Sequence, residues 1–330
     1  MYKLLLIGAG GFGVAWRDAI LANDCEVVGV VDINKQALKD AQDFFELKDE
    51  QLYDPTDLWE NCSANIVIDC SPFLNHYQNA ERAFKNNMHV LTVKPLADKK
   101  ETALKMVALV EQYKRKGMVA QQKRFYPVYV RLRELMKQKV IGQVEKVGVN
   151  LYLSGLGWEP GFEWRSKLSQ PTLYEAAIHH FDIFQSVFQI PMKKVFCHSS
   201  NPSWSPFEGD STIYALLETH EGMIIQYNAT FAPRHEHYTF FDSGWELEGT
   251  EGVIRITNGK IFINGKEDIQ IGESPPLEEL NKIVLRQFLE YSFGPDDEHE
   301  LSYQNNLKSL LPIFACEESI KNEAWVKVAN

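Results

Sequence analysis

Over residues 1–120 the chain alternates between two patterns. Uninterrupted apolar runs, KLLLI (3–7), EVVGVV (26–31), NIVIDC (65–70), HVLTV (89–93) and MVAQ (118–121), are short and lack polar alternation. Runs of this kind are strands buried on both faces, as in a parallel sheet. Segments of helical spacing lie between them. The clearest predicts a helix over 98–116, with Asp98 and Glu101 at capping-box spacing and Gly117 as its C-terminal stop. Strand–helix alternation predicts a doubly wound parallel sheet.

After Arg124 the pattern changes. VEKVGVNLYLSG, STIYALLETHEGMIIQYNAT and WELEGTEGVIRITNGKIFINGK are strand-like runs broken by Gly and Asn turns, close together and without helices between them. They predict a second, largely antiparallel open sheet. Helices are expected from Leu173, over 277–292 and over 303–322, and a Gly-, Pro- and aromatic-rich loop over 154–171. The expected organisation is a dinucleotide-binding domain over 1–122 and an α+β substrate-binding and oligomerisation domain over 123–330. The C-terminal helix is a candidate to pack back on the first domain.

The chain's 330 residues exceed a typical single core, which agrees with two domains. A net charge of −11 repels phosphate backbones and anionic lipids, so nucleic acid and membrane surfaces are poor partners. No apolar run reaches membrane-spanning length, and the glycine cluster after LLLI marks a buried strand rather than a signal segment. Five scattered cysteines with no C-x-x-C pair argue against a disulfide framework or zinc site and for a reducing, cytoplasmic setting.

Gly8, Gly10 and Gly13 stand at G-x-G-x-x-G spacing between a strand and a helical segment, the context that dinucleotide binding requires. The first permits a tight turn, the second lets backbone approach a pyrophosphate, and the third lets helix pack on strand. Asp32 ends the second strand, where a carboxylate accepts ribose hydroxyls and repels a 2′-phosphate. NAD is favoured over NADP, with Lys35 leaving NADP open; the plainer reading of Asp32 is a cap for the next helix. Lys94 ends the HVLTV strand, either facing a ligand crevice or merely solvated. On a helix at about 100° per residue, Glu175, His179, Asp182 and Ser186 share a stripe about 60° wide, while His180 lies about 100° from His179. The remaining faces are apolar, so the helix is expected to be buried and its stripe to face something polar. A core histidine satisfied by a carbonyl is the plainer account of His179. Zinc at the stripe is disfavoured, and His235 and His237 lack a third ligand, so no metal is expected.

Taken in order, these motifs resemble the glucose–fructose oxidoreductase/inositol dehydrogenase/rhizopine-catabolism (Gfo/Idh/MocA) family over nearly the whole length. The resemblance rests on the glycine loop with Asp32, SPFLNHYQNAERAFKNNMHVLTVKPLA, QQKRFYPVYVRLRELMKQKVIGQVEKV, WRSK, LYEAAIHHFDIF and WELEGTEGVIRI. It implies Lys94 as the catalytic-site lysine and His179 as proton acceptor, with Glu175 and Asp182 beside it. It implies that Gly11, Phe12, Ile33, Cys70, Ser71, Pro72, Asn75, His76 and Pro95 join Gly8, Gly10, Gly13, Asp32 and Lys94 around the cofactor. Arg124, Trp164 and Arg165 would lie near the substrate, with Lys94, Glu175 and His179. Val93 stands where the family has Glu, Glu175 where it has Asp, and QPTL where glycines often precede the helix.

The function so implied is hydride transfer between NAD(P) and a secondary alcohol of a sugar, polyol or inositol, or sugar acid. Trp158, Phe162 and Trp164 could stack on a sugar ring or simply pack the loop. The alternatives are a non-catalytic regulator sensing dinucleotide or sugar, and an NAD-dependent glycosidase. A carbohydrate-like small molecule is the expected partner. The open second sheet suggests a homodimer or homotetramer.

Overall fold

The computed structural model describes residues 2–154, 166–234, 239–268, 270–295 and 298–329. The chain divides into two compact units, Met1–Gln122 with Pro276–Leu307, and Lys123–Pro275 with Lys308–Asn330.

The first unit is built on six parallel strands: β1 (Tyr2–Ile7), β2 (Cys25–Val31), β3 (Leu52–Tyr53), β4 (Ile66–Asp69), β5 (His89–Val93) and β6 (Gly117–Ala120). Their order is β3-β2-β1-β4-β5-β6, so the winding reverses between β1 and β4, the switch point at whose carboxyl ends sheets of this kind bind ligands. Leu4, Leu5, Leu6, Val67 and Ile68 have no exposed surface, as unalternating strands require. Two-residue β3 is too short to leave a pattern.

Two helices differ from expectation. The predicted 98–116 helix is Lys100–Tyr113, begun at Lys99 without a side-chain cap and ended by Lys114 in the left-handed region at φ 51°. Gly117 is instead the first residue of β6, where a Cβ would come within 2.6 Å of the Tyr303 ring. The helix after the glycine loop is a single turn, Gly11–Val14, resuming as Arg17–Ala22. The break has a partner outside the helix: the Ala15 carbonyl accepts from Asn281 Nδ2 at 2.8 Å. Asn281 also accepts from Gln122 Nε2 at 2.8 Å. It lies on the helix Leu277–Phe293, which buries Leu280, Val284, Leu285 and Phe288 within this unit.

The second unit carries a nine-stranded sheet. Its strands are β7 (Val144–Tyr152), β8 (Met192–Ser200), β9 (Thr212–Thr219), β10 (Ile224–Thr230), β11 (Trp245–Gly249), β12 (Gly252–Thr257), β13 (Lys260–Ile263), β14 (Lys266–Asp268) and β15 (Val326–Lys327). The order is β14-β13-β12-β11-β7-β10-β9-β8-β15, with every pair antiparallel except β7 and β10. Residues alternate cleanly: Val147, Val149, Ile225, Tyr227, Trp245 and Leu247 are buried, while Lys146, Asn150, Gln226, Glu246 and Glu248 are exposed. On the buried face lies a π-helical turn, Leu173–Ala177, continuing as the α-helix Ile178–Phe188. Phe184 meets the Trp245 ring at 5.0 Å and Phe181 the Tyr227 ring at 5.6 Å. No helix among the described residues is long and apolar enough to cross a membrane.

Half-buried His89 and buried His180 have depressed pKa values that predict an acid-sensitive fold. His89 Nδ1 accepts the Lys116 backbone N–H at 2.9 Å. Burial, then the Arg115 and Lys116 charges, push its pKa down to about 4. Burial, then Lys123, push His180 down to about 3. Both are neutral in the folded chain, whereas an unfolded histidine takes up its proton near pH 6.5. Their contribution is therefore complete above about pH 6.5 and is lost as pH falls through about 4 and then about 3. Thermal unfolding at steps from pH 7.5 to 5 should show Tm falling with onset below about 6.5, less steeply in His89→Gln. A flat Tm over that range would contradict this.

Candidate functional site

The site residues of the first unit converge on the carboxyl edge of its sheet. Gly8 follows β1 at φ +81°, and a Cβ there would meet the Cys70 carbonyl carbon at 2.9 Å and Ser71 N at 3.0 Å. A Cβ at Gly13 would lie 2.0 Å from the Gly8 carbonyl oxygen. Packing of the chain against itself thus requires both glycines. Gly10 is different: a Cβ there would meet nothing nearer than Ala37 Cβ at 4.0 Å. Open space over the middle glycine is what a closely approaching phosphate needs, so the loop fits a dinucleotide. Gly11 is exposed, and Phe12 half-buried, beside it.

Asp32 holds that loop. Its Oδ2 accepts from Ala9 N at 2.7 Å and Gly10 N at 3.3 Å, and its Oδ1 from Asn34 N at 2.7 Å. The helix Lys35–Phe45 is capped by Asn34, whose Oδ1 accepts from Gln36 N and Ala37 N. Asp32 is therefore not the helix cap. Its carboxylate stays half-buried and has lone pairs left for further donors. Ile33 beside it is 82% exposed, and Leu74, on the turn after β4, is 65% exposed. Leu74 carried no signal in the sequence; only the fold reveals an apolar side chain left uncovered on this edge.

After β4, Ser71 donates through N and Oγ to Asp69 Oδ1 at 3.0 and 2.6 Å. Asn79 Nδ2 donates to Asp69 Oδ2 at 3.0 Å. Burial, then the Asp69 charge, push the Cys70 thiol pKa well above its ordinary value. Pro72 and Asn75 are exposed on the turn that follows. His76 is not: it has no exposed surface, and its ring nitrogens face the Ser71 and Pro95 carbonyls at 2.9 and 3.0 Å. It lies between two loops with no exposed surface in this structure. Half-buried Lys94 and buried Pro95 follow β5 directly, joined by a cis peptide.

In the second unit the helix is buried all round, as its apolar faces require. His179 is 6% exposed, Asp182 1% and Ser186 4%. Glu175 is half-buried on the π-helical turn, whose wider i→i+5 bonding replaces the α-helical step assumed from its spacing. The stripe is therefore in two parts, with Glu175 placed by the turn and His179, Asp182 and Ser186 by the α-helix. Asp182 accepts both arms of Arg124, Nε at 2.8 Å and Nη2 at 2.6 Å, and Ser309 Oγ at 3.2 Å. Arg124 is 3% exposed, so this is a dry bidentate pair; removing one partner costs about 3–5 kcal/mol.

The adjacent histidines separate. His180 turns to the sheet, with Nδ1 2.9 Å from the Tyr227 hydroxyl and its ring 5.7 Å from that of Trp245. His179 meets the Phe241 ring edge-on at 5.3 Å. Lys123 Nζ lies 3.5 Å from the centroid of the same ring. Neither Lys123 nor Phe241 was singled out in the sequence; adjacency to Arg124 was the only available hint for Lys123. Trp158, Phe162, Trp164, Arg165, His235 and His237 lie outside the described residues. Among the described residues no three His, Cys, Asp or Glu side chains are grouped to hold a metal ion.

Residues 2–121 match the family model described as oxidoreductase family, NAD-binding Rossmann fold, and residues 129–255 match the GFO/IDH/MocA C-terminal domain. A curated relative, uncharacterized protein y4oX of Sinorhizobium fredii, is 25% identical over 99% of this chain and 96% of its own. The fold is shared with a crystallised oxidoreductase from Agrobacterium radiobacter in complex with NAD+, L-tartaric acid and magnesium. That match has a TM-score of 0.85 at 19% identity, covering 99% of this chain and 98% of the other. It is also shared with levoglucosan dehydrogenase in complex with NADH and levoglucosan, at TM-score 0.83, 17% identity and full coverage of both chains. A putative myo-inositol dehydrogenase from Sinorhizobium meliloti matches at TM-score 0.78 and 17% identity, again over both whole chains. With both of its halves matched, the chain belongs to the GFO/IDH/MocA family of NAD-binding oxidoreductases.

Proposed function

We propose that this protein is an NAD-dependent dehydrogenase that interconverts a secondary alcohol and a ketone on a sugar, polyol or inositol, or sugar acid. The observation that carries the reading is the gathering of the open glycine loop, Asp32 and Lys94 on one carboxyl edge of a parallel sheet. Bound NAD would accept or return the hydride. The remaining work belongs to the chain. Gly8, Gly10 and Gly13 admit the pyrophosphate, and Asp32 accepts the ribose hydroxyls while disfavouring a 2′-phosphate. Lys94 orients the reacting oxygen and stabilises negative charge developing on it. His179 takes the hydroxyl proton. Arg124 and Asp182, locked together, support the helix that carries His179, and Glu175 lies on its first turn to receive substrate hydroxyls.

Relatives of this fold crystallised with levoglucosan, L-tartaric acid or UDP-GlcNAcA support a hydroxyl-rich substrate. The outer face of the second sheet leaves Tyr214, Leu216, Ile224 and Val253 38–50% exposed among polar residues, which supports a homodimer or homotetramer.

A screen of sugars, inositols, uronic acids and aldonates, followed by NADH absorbance with NAD and NADP in parallel, should find turnover with NAD. In the best substrate, Lys94→Ala should lower kcat about 100-fold or more with NAD affinity retained. Near-normal kcat in that variant would remove Lys94 from the chemistry. Asp32→Ala should weaken NAD and narrow the gap in kcat/KM between NAD and NADP; a wild-type preference for NADP would overturn the role given to Asp32.

A further inference from the structure

Among the described residues, His76 is an expected site residue with no exposed surface, and its neighbours suggest a different task. Its imidazole spans two loops at the carboxyl edge of the first sheet. Nε2 lies 2.9 Å from the Ser71 carbonyl oxygen. On the other side, Nδ1 lies 3.0 Å from the Pro95 carbonyl and 3.3 Å from the Leu96 carbonyl. The ring begins the helix His76–Lys85, so helix geometry sets its own position.

The near end of this bridge is itself anchored. Ser71 is held through both N and Oγ by Asp69, which has no exposed surface and ends β4. Asn79, one helical turn beyond His76, donates to Asp69 Oδ2 at 3.0 Å and to Ser71 Oγ at 3.1 Å. The far end is the pair of carbonyls on Pro95 and Leu96, the two residues after Lys94. Polar contacts thus run from Asp69 through Ser71 and the His76 ring to the Pro95 and Leu96 carbonyls. Buried carbonyls that lose their donor are costly, so the loop after β5 has little freedom while the ring is in place.

We propose that His76 is a positioning residue for Lys94: it ties the Lys94-Pro95-Leu96 segment to the end of β4 and so sets where the ammonium group lies. The proposal rests on the role given to Lys94 above. A displacement near 1 Å at a reacting centre costs up to about 100-fold in rate, which sets the expected size of the effect. Each ring nitrogen faces a carbonyl of a different loop, and a nitrogen bonds a carbonyl only where it carries a proton. Asparagine places an amide donor near the Nδ1 position, toward Pro95 and Leu96. Glutamine places one near Nε2, toward Ser71.

The test uses the full-length enzyme and its best substrate, with His76→Phe, His76→Asn and His76→Gln made alone and combined with Lys94→Ala. Expected for His76→Phe is a kcat lower by about 10- to 100-fold with KM for NAD changed less than about threefold. His76→Asn, keeping the donor on the Lys94 side, should recover kcat to within about fivefold of wild type, and His76→Gln should not. With Lys94 already replaced, no His76 variant should cost more than about a further twofold, because residues acting through one group are not additive. If His76→Phe does not fold, the Asn and Gln pair carries the same comparison. The same loss in kcat with and without Lys94, or equal kcat in the Asn and Gln variants, would overturn the proposal. If Lys94→Ala alone keeps normal turnover, the function assigned to Lys94 fails instead, whatever the His76 variants do.

Discussion

The first unit depends on a backbone contact that tolerates no side chain. Gly8, in the left-handed region, lies where a Cβ would meet the Cys70–Ser71 peptide at 2.9–3.0 Å, and Gly13 lies where one would meet the Gly8 carbonyl at 2.0 Å. These contacts draw the ends of β1 and β4 together at the point where strand order reverses. Everything else on that edge is referred to this point. Asp32 reaches back to Ala9 and Gly10, Asp69 holds Ser71, and His76 carries the position of Ser71 across to the loop that bears Lys94. The edge is a small hydrogen-bonded frame, and Gly10 is the place where the frame leaves room.

The second unit solves a different problem, a helix buried on every face that still carries charge. Burying Asp182 is tolerable because both guanidinium arms and a serine hydroxyl satisfy it. His180 is tolerable because it stays neutral among Tyr227, Phe241 and Trp245. His179 shares Phe241 with Lys123, in a position that neither partner's neighbours along the chain would suggest. Adjacent histidines thus share Phe241 but otherwise meet different neighbours, because successive residues on a helix point about 100° apart.

Much of this was legible from pattern. Apolar runs without alternation marked all the central strands of the first sheet, and the alternating runs of the second half marked a sheet with one covered face. The buried helix and the separation of His179 from His180 followed from spacing, since periodicity is a local property. Where local signals misled, a distant residue had intervened. Gly117 resembled a helix stop until Tyr303 showed why it has no side chain. For Asp32 the plainer reading as a helix cap is excluded close by, since Asn34 takes that place and Asp32 turns to the glycine loop. The helix after that loop breaks where Asn281 takes the Ala15 carbonyl.

By itself, then, the order of residues determined the class of each layer, the dinucleotide loop and the family, because these rest on spacing within 20 or so residues and on residue types. Tertiary structure alone decided which polar groups serve each other and which remain for a ligand. Arg124 and Asp182 stand 58 positions apart and are spent on one another. His76 and Pro95, 19 apart, meet only because two strands lie side by side. Hydrogen-bond partnership is decided by distance in space, and pairing across a sheet brings together residues that no local period connects.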